Sequence, residues 1–178
     1  NWGIMASEAR MAIAIFNNNN AQFNEAILDY KFFIEKSFKP FGKYLETCRL
    51  GNEQIGCNST AGGDLPHSQM TLQALTAMAE MAKKQGVDLY GYKDPVDGHS
   101  LLTTLTYHAP FMGYNDDPAK SRLGASKEKW PCLTKLSGPC VAGQQCSNSD
   151  LIFAFWEMAY NHYQNPVLKS LVENRARP

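Results

Sequence analysis

The chain has 178 residues, 44% hydrophobic and 19% charged, with 17 Lys+Arg against 17 Asp+Glu for a formal net charge of zero. That balance lacks the basic surplus of a nucleic-acid binder and the charge density of a disordered polyelectrolyte, and it supplies enough apolar matter for one buried core. The longest apolar runs, Met11 to Phe16 and Leu151 to Trp156, fall far short of the roughly 20 residues that cross a bilayer, so neither a membrane nor a nucleic acid is an expected partner.

The first element opens at once. Met5, Ala9, Ala12, Ile13 and Phe16 follow a 3.6-residue period, and Ile4, Met11 and Ile15 make the segment apolar nearly all round, which predicts a buried helix. A chain that starts at Asn1 inside such a pattern, without an initiator Met, reads as one from which an upstream segment has been removed. The Asn17 to Asn20 run predicts an interhelical corner, because Asn competes for its own backbone and favours turns and caps. A second helix follows over Ala21 to Ser37, with Phe23, Ala26, Ile27, Tyr30 and Ile34 on one face, before Pro40 and Gly42 end the pattern. Lys43 to Leu65 reads as a long loop holding Cys48 and Cys57.

Pro66 to Gln85 is helical again. Met70, Ala74, Ala77, Met78 and Met81 mark one face, Leu72, Leu75, Ala79 and Ala82 widen it, Asp64 and Pro66 suit its start, and Gly86 suits its stop. Ser100 to His108 predicts a short helix with Leu101, Leu102 and Leu105 inward and Tyr107 off that stripe. Residues 115–149, rich in Gly, Pro, Lys and Ser, read as an elaborated surface loop with Cys132, Cys140 and Cys146. An aromatic helix over Leu151 to Gln164 and a last one from Asn165-Pro166 through Glu173 complete an all-α chain of paired antiparallel helices.

The five cysteines lack a CxxC pair and have no neighbouring His, which favours disulfides over zinc. Cys48 with Cys57 would close one loop and two of the last three another. Asn58-Ser59-Thr60 is an N-glycosylation acceptor, in keeping with an oxidising, secretory history and an extracellular location.

Among residues able to do chemistry, His67 falls in the first turn of a predicted helix, where the helix dipole disfavours imidazolium and keeps the ring able to accept a proton. Tyr107 stands beside His108, and a tyrosine of lowered pKa could serve as acid or base. His99 follows Gly98 in a loop. No HExxH, GxSxG or Gly-rich phosphate loop is present, so neither a metal nor a cofactor is expected. The abundance of Asn, Gln, Tyr and Trp suits sugar stacking and hydroxyl recognition.

Several segments resemble one family in the same order along the chain. Asn1-Trp2-Gly3, Ser7 to Ile13 and Phe23 to Ala26 look like the opening helix pair of the alginate lyase superfamily of polysaccharide lyases. Gly62-Gly63-Asp64-Leu65-Pro66-His67-Ser68-Gln69 resembles the family's GRDQGHTQ turn, Leu72 to Tyr92 continues it, and Leu101-Leu102 to Tyr107 with Asn115 resembles LL…EY…YN. Trp156 to Tyr163 and Arg177-Pro178 resemble its C-terminal helices.

The resemblance implies an (α/α) toroid, incomplete here, in which residues 1–178 form a single lyase-like domain lacking the family's N-terminal part. A missing segment or a second chain would complete it. It implies β-elimination on an acidic polysaccharide of alginate or glucuronan type. Asn1 would hydrogen-bond the substrate carboxylate, His67 would assist its neutralisation or act as base, and Tyr107 would act as base or acid at the glycosidic oxygen. Trp2, His99, Tyr114, Tyr160 and His162 are the candidate substrate contacts. Gly63 and Ser100 stand where the family carries arginines, which favours a second reading, a non-catalytic glycan-binding or defence protein on the same scaffold.

Overall fold

The computed structural model describes residues 2–37, 65–109 and 154–174. Within them the secondary structure is six α-helices: α1 (Trp2–Phe16), α2 (Asn20–Ser37), α3 (Leu65–Lys84), α4 (Leu101–His108), α5 (Phe155–Tyr163) and α6 (Pro166–Asn174). Among the described residues β structure is limited to one antiparallel bridge between Lys93 and Ser100, so the chain is all-α as the periodicities required. Asn1, Asn58, Asp64, Tyr114, the five cysteines, the loop leading up to Leu65 and the 115–149 loop lie outside the described residues.

The α1–α2 corner forms where the asparagines stand. Asn18 takes the left-handed conformation (φ 51°), Asn19 N–H donates to the Ala14 carbonyl at 2.8 Å, and the Asn19 side-chain oxygen accepts from Gln22 N–H at 3.1 Å to cap α2. α3 ends as its sequence demands: Gly86 sits at φ 81°, and Val87 N–H closes back onto the Ala82 carbonyl at 2.9 Å.

α3 is the axis of the fold. It packs against α1, α2, α4 and α5, while α6 rests on α5 and α4. Its Leu72, Ala74, Leu75, Met78, Ala79 and Ala82 are fully buried, and they meet Ile4 and Met11 of α1, Tyr30 and Ile34 of α2, Leu101 and Leu105 of α4, and Trp156 and Ala159 of α5 in one core. Tyr30 pins the loop after α3 by donating its hydroxyl to the Leu89 carbonyl at 3.0 Å.

The expectation of an α1 buried all round is corrected. The face that packs is Ile4, Ser7, Met11 and Ala14, while Ile13 (55%) and Phe16 (88%) are exposed. A helix apolar on every side carries no directional signal, so a polar contact sets its rotation: Ser7 donates to Asp29 of α2, with Arg10 paired to the same carboxylate. Among the described residues no helix is long and apolar enough to cross a membrane.

Candidate active site

The described candidate residues are carried by α1, α3, α4 and α5 and by the loop before α4. His67 lies in the first turn of α3, one turn before Thr71 and two before Ala74, both fully buried. Two residues further on, Gln69 is fully buried, and neither its side-chain oxygen nor its nitrogen has a hydrogen-bond partner among the described residues. Leaving such an amide unpaired costs about 1–3 kcal/mol. Trp2 begins α1 with its indole 73% exposed.

α4 carries Tyr107. Ser100 caps it from an extended conformation (φ −149°, ψ 169°), its hydroxyl oxygen accepting from Thr103 N–H at 3.3 Å. The helix then presents Thr104, Leu105 and His108 to the interior and leaves Tyr107 half-buried at its margin, packed on the core. The Tyr107 and His108 rings meet edge to face, with centroids 5.2 Å apart and planes at 72°. Burial pushes the Tyr107 phenol above its ordinary 10. A lowered value, the condition under which a tyrosine serves most readily as a base, is not what the packing produces: desolvation decides the direction, and the resident form near neutral pH is the protonated phenol.

Thr104 links two buried imidazoles. His99, only 4% exposed, places Nε2 2.8 Å from the Thr104 hydroxyl oxygen, and His108 places Nδ1 2.8 Å from the Thr104 carbonyl. The Thr104 hydroxyl also donates to the Ser100 carbonyl at 3.2 Å. A hydroxyl has one proton and a carbonyl has none, so all three contacts are hydrogen bonds only if His99 carries its proton on Nε2 and His108 on Nδ1. Complete burial lowers His108 to about 4, keeping it neutral. Sequence reading noted His99 and His108 without this pairing; the Thr104–His108 spacing of one helical turn was the available signal.

Other candidate contacts lie elsewhere. His162 of α5 stacks on Tyr90 (centroids 3.9 Å, planes 13° apart), and its Nδ1 accepts from Lys83 Nζ at 3.3 Å. Partial burial, then the Lys83 charge, lower its pKa. Because Lys83 lies at the C-terminal end of α3, His162 sits about 24 Å along that helix from the His67 turn. Tyr160 packs on the core from α5, and Tyr163 donates to the Tyr90 carbonyl at 2.8 Å, tying α5 to the loop before α4. Thus Thr104 and the Tyr107–His108 ring contact bring His99, His108 and Tyr107 together, while His162 belongs to the C-terminal end of α3. Among the described residues no three His, Cys, Asp or Glu side chains cluster as metal ligands.

Comparison with known proteins gives a match to one family. The sequence model of the family described as alginate lyase matches residues 1–119, a span that encloses α1 to α4 and with them Trp2, His67, His99 and Tyr107. No curated protein and no solved structure matches the chain. Since the match takes in well over half of the sequence, the chain belongs to the alginate lyase family of polysaccharide lyases.

Proposed function

We propose that the protein is a secreted polysaccharide lyase that cleaves a uronic-acid polymer of alginate or glucuronan type by β-elimination. The observation that carries this reading is the family match over 1–119, which encloses Asn1, His67 and Tyr107 in one segment. In the reaction the C5–H and C4–O bonds break, a C4=C5 double bond forms, and the C5 proton and the departing C4 oxygen each need a partner. Asn1 hydrogen-bonds the sugar carboxylate, spreading the charge that builds up as C5 loses its proton. His67, in the first turn of α3, takes that proton.

Tyr107, a protonated phenol in its half-buried setting, gives its proton to the leaving oxygen. Its raised pKa favours the acid role over the base role, since a phenol that holds its proton near neutral pH has one to give. The exposed Trp2 ring offers a stacking face for a sugar. Cysteines in Gly- and Pro-rich segments and the Asn58 acceptor support secretion with disulfides and an N-glycan.

The test is the ultraviolet absorbance of the unsaturated uronate, read with polymannuronate, polyguluronate, glucuronan and a neutral glucan in parallel. A rise on one acidic polymer names activity and substrate together. A flat trace with all four, from folded protein, sinks the lyase reading and leaves glycan binding, which titration with the same polymers would detect.

A further inference from the structure

The Thr104-centred pair of histidines has no place in the chemistry above, yet it is built with care into the helix that carries Tyr107. Both imidazoles are buried, both are anchored to one residue, and the two anchoring bonds are each 2.8 Å. The Thr104 carbonyl holds the His108 ring at Nδ1 and so restrains its torsion, and the same ring meets that of Tyr107 edge to face. A phenol hinged at the margin of a short helix has free rotation about its Cα–Cβ and Cβ–Cγ bonds unless something blocks it. Here the anchored imidazole is in ring contact with the phenol, at a centroid distance of 5.2 Å.

We infer that His108 is a positioning residue for Tyr107: its ring, locked in the Nδ1–H tautomer by the Thr104 carbonyl, holds the phenol in the orientation from which it meets the substrate, with His99 bracing Thr104 from the other side. The inference rests on the reading of Tyr107 as the proton donor of a lyase. It names what aims that donor, and a displacement of about 1 Å at a reacting group is enough to cost on the order of 100-fold in rate.

Two substitutions separate the ring from its anchor. His108→Asn keeps an N–H near the Nδ1 position and removes the ring; His108→Phe keeps a ring edge against Tyr107 and removes the N–H. The expected result is that His108→Asn lowers kcat by about tenfold or more, and that His108→Phe, whose ring has lost its Thr104 anchor, also lowers kcat though by less, both with KM within about twofold and with wild-type helical circular dichroism. Wild-type kcat in either variant, or a loss carried by KM with kcat unchanged, overturns the inference.

Should either variant fail to fold, the wild-type protein decides the matter. Nitrogen-15 NMR of the imidazoles should show His108 as the neutral Nδ1–H tautomer and His99 protonated on Nε2, and a His108 proton on Nε2 overturns the lock. If no uronate polymer is cleaved, the lyase reading fails alone. The Tyr107 phenol titration, taken as wild type minus Tyr107→Phe, then still reads the contact: its midpoint falls in His108→Asn if the imidazole holds the ring, and stays put if it does not.

Discussion

Ser7 of α1 donates its hydroxyl to Asp29 of α2 across 2.7 Å, and Arg10, one turn further along α1, pairs with the same carboxylate oxygen at 3.1 Å. This is the contact that turns Ile4, Met11 and Ala14 toward α3 and leaves Ile13 and Phe16 outside.

Asp29→Ala should therefore destabilise the α1–α2 pair by about 1–3 kcal/mol, because it strips the acceptor from a buried serine as well as from the arginine. Arg10→Ala should cost less, within about 1 kcal/mol, since its side chain is 45% exposed and surface ion pairs are weak. Urea unfolding followed by circular dichroism checks both. Equal effects from the two substitutions would show that Ser7 contributes nothing.

Tyr30→Phe should cost about 1–2 kcal/mol, by leaving the Leu89 carbonyl without the hydroxyl that reaches it at 3.0 Å inside the core. The loss should be felt first in the loop after α3, so amide hydrogen exchange at residues 87–92 should quicken before that of α3. Uniform quickening would mean that the loop and the helix open together.

On the proposed function, Tyr107→Phe should lower elimination by about 10²- to 10⁴-fold with the helical signal intact, the range expected for removing a general acid. His67→Ala should do the same through loss of the base. Full activity in either variant removes that residue from the mechanism.

Stability should fall in acid through His108. The unfolded imidazole binds a proton below about 6.5, whereas the folded one stays bare until about pH 4, so between these values the unfolded state binds more protons and folding weakens as pH drops. The loss should reach about 3 kcal/mol at most by pH 4, and His108→Phe should flatten that part of the profile. An unchanged slope in His108→Phe would show that other groups govern the acid limb.

Much of the architecture was legible before any coordinates. The 3.6-residue periods of α2 and α3, the asparagine corner, Gly86 as a stop, Ser100 as the start of α4 and Asn165-Pro166 as the start of α6 are local signals, because each depends on a residue's own torsions and on neighbours within one turn. The order of motifs carried the family as well, since it is a property of the string of residues.

Tertiary structure decided what local rules leave open. Hydrophobicity around α1 was too even to choose a face, and the choice fell to an ion pair with a residue on the next helix. The direction of the Tyr107 shift could not be read from its neighbours in sequence, because desolvation depends on what packs over the ring. His99 and His108 each looked like lone histidines; only the winding of α4 brings both onto Thr104, and the scarcity of protons at that residue fixes their tautomers. His162, adjacent in the motif to aromatic residues, is carried by α5 to the Lys83 end of α3. The sequence alone determined helices, corners and family, which follow from short-range torsion and pattern. Burial, helix rotation and the partners of each titratable group came only with packing, because those depend on residues far apart in the chain.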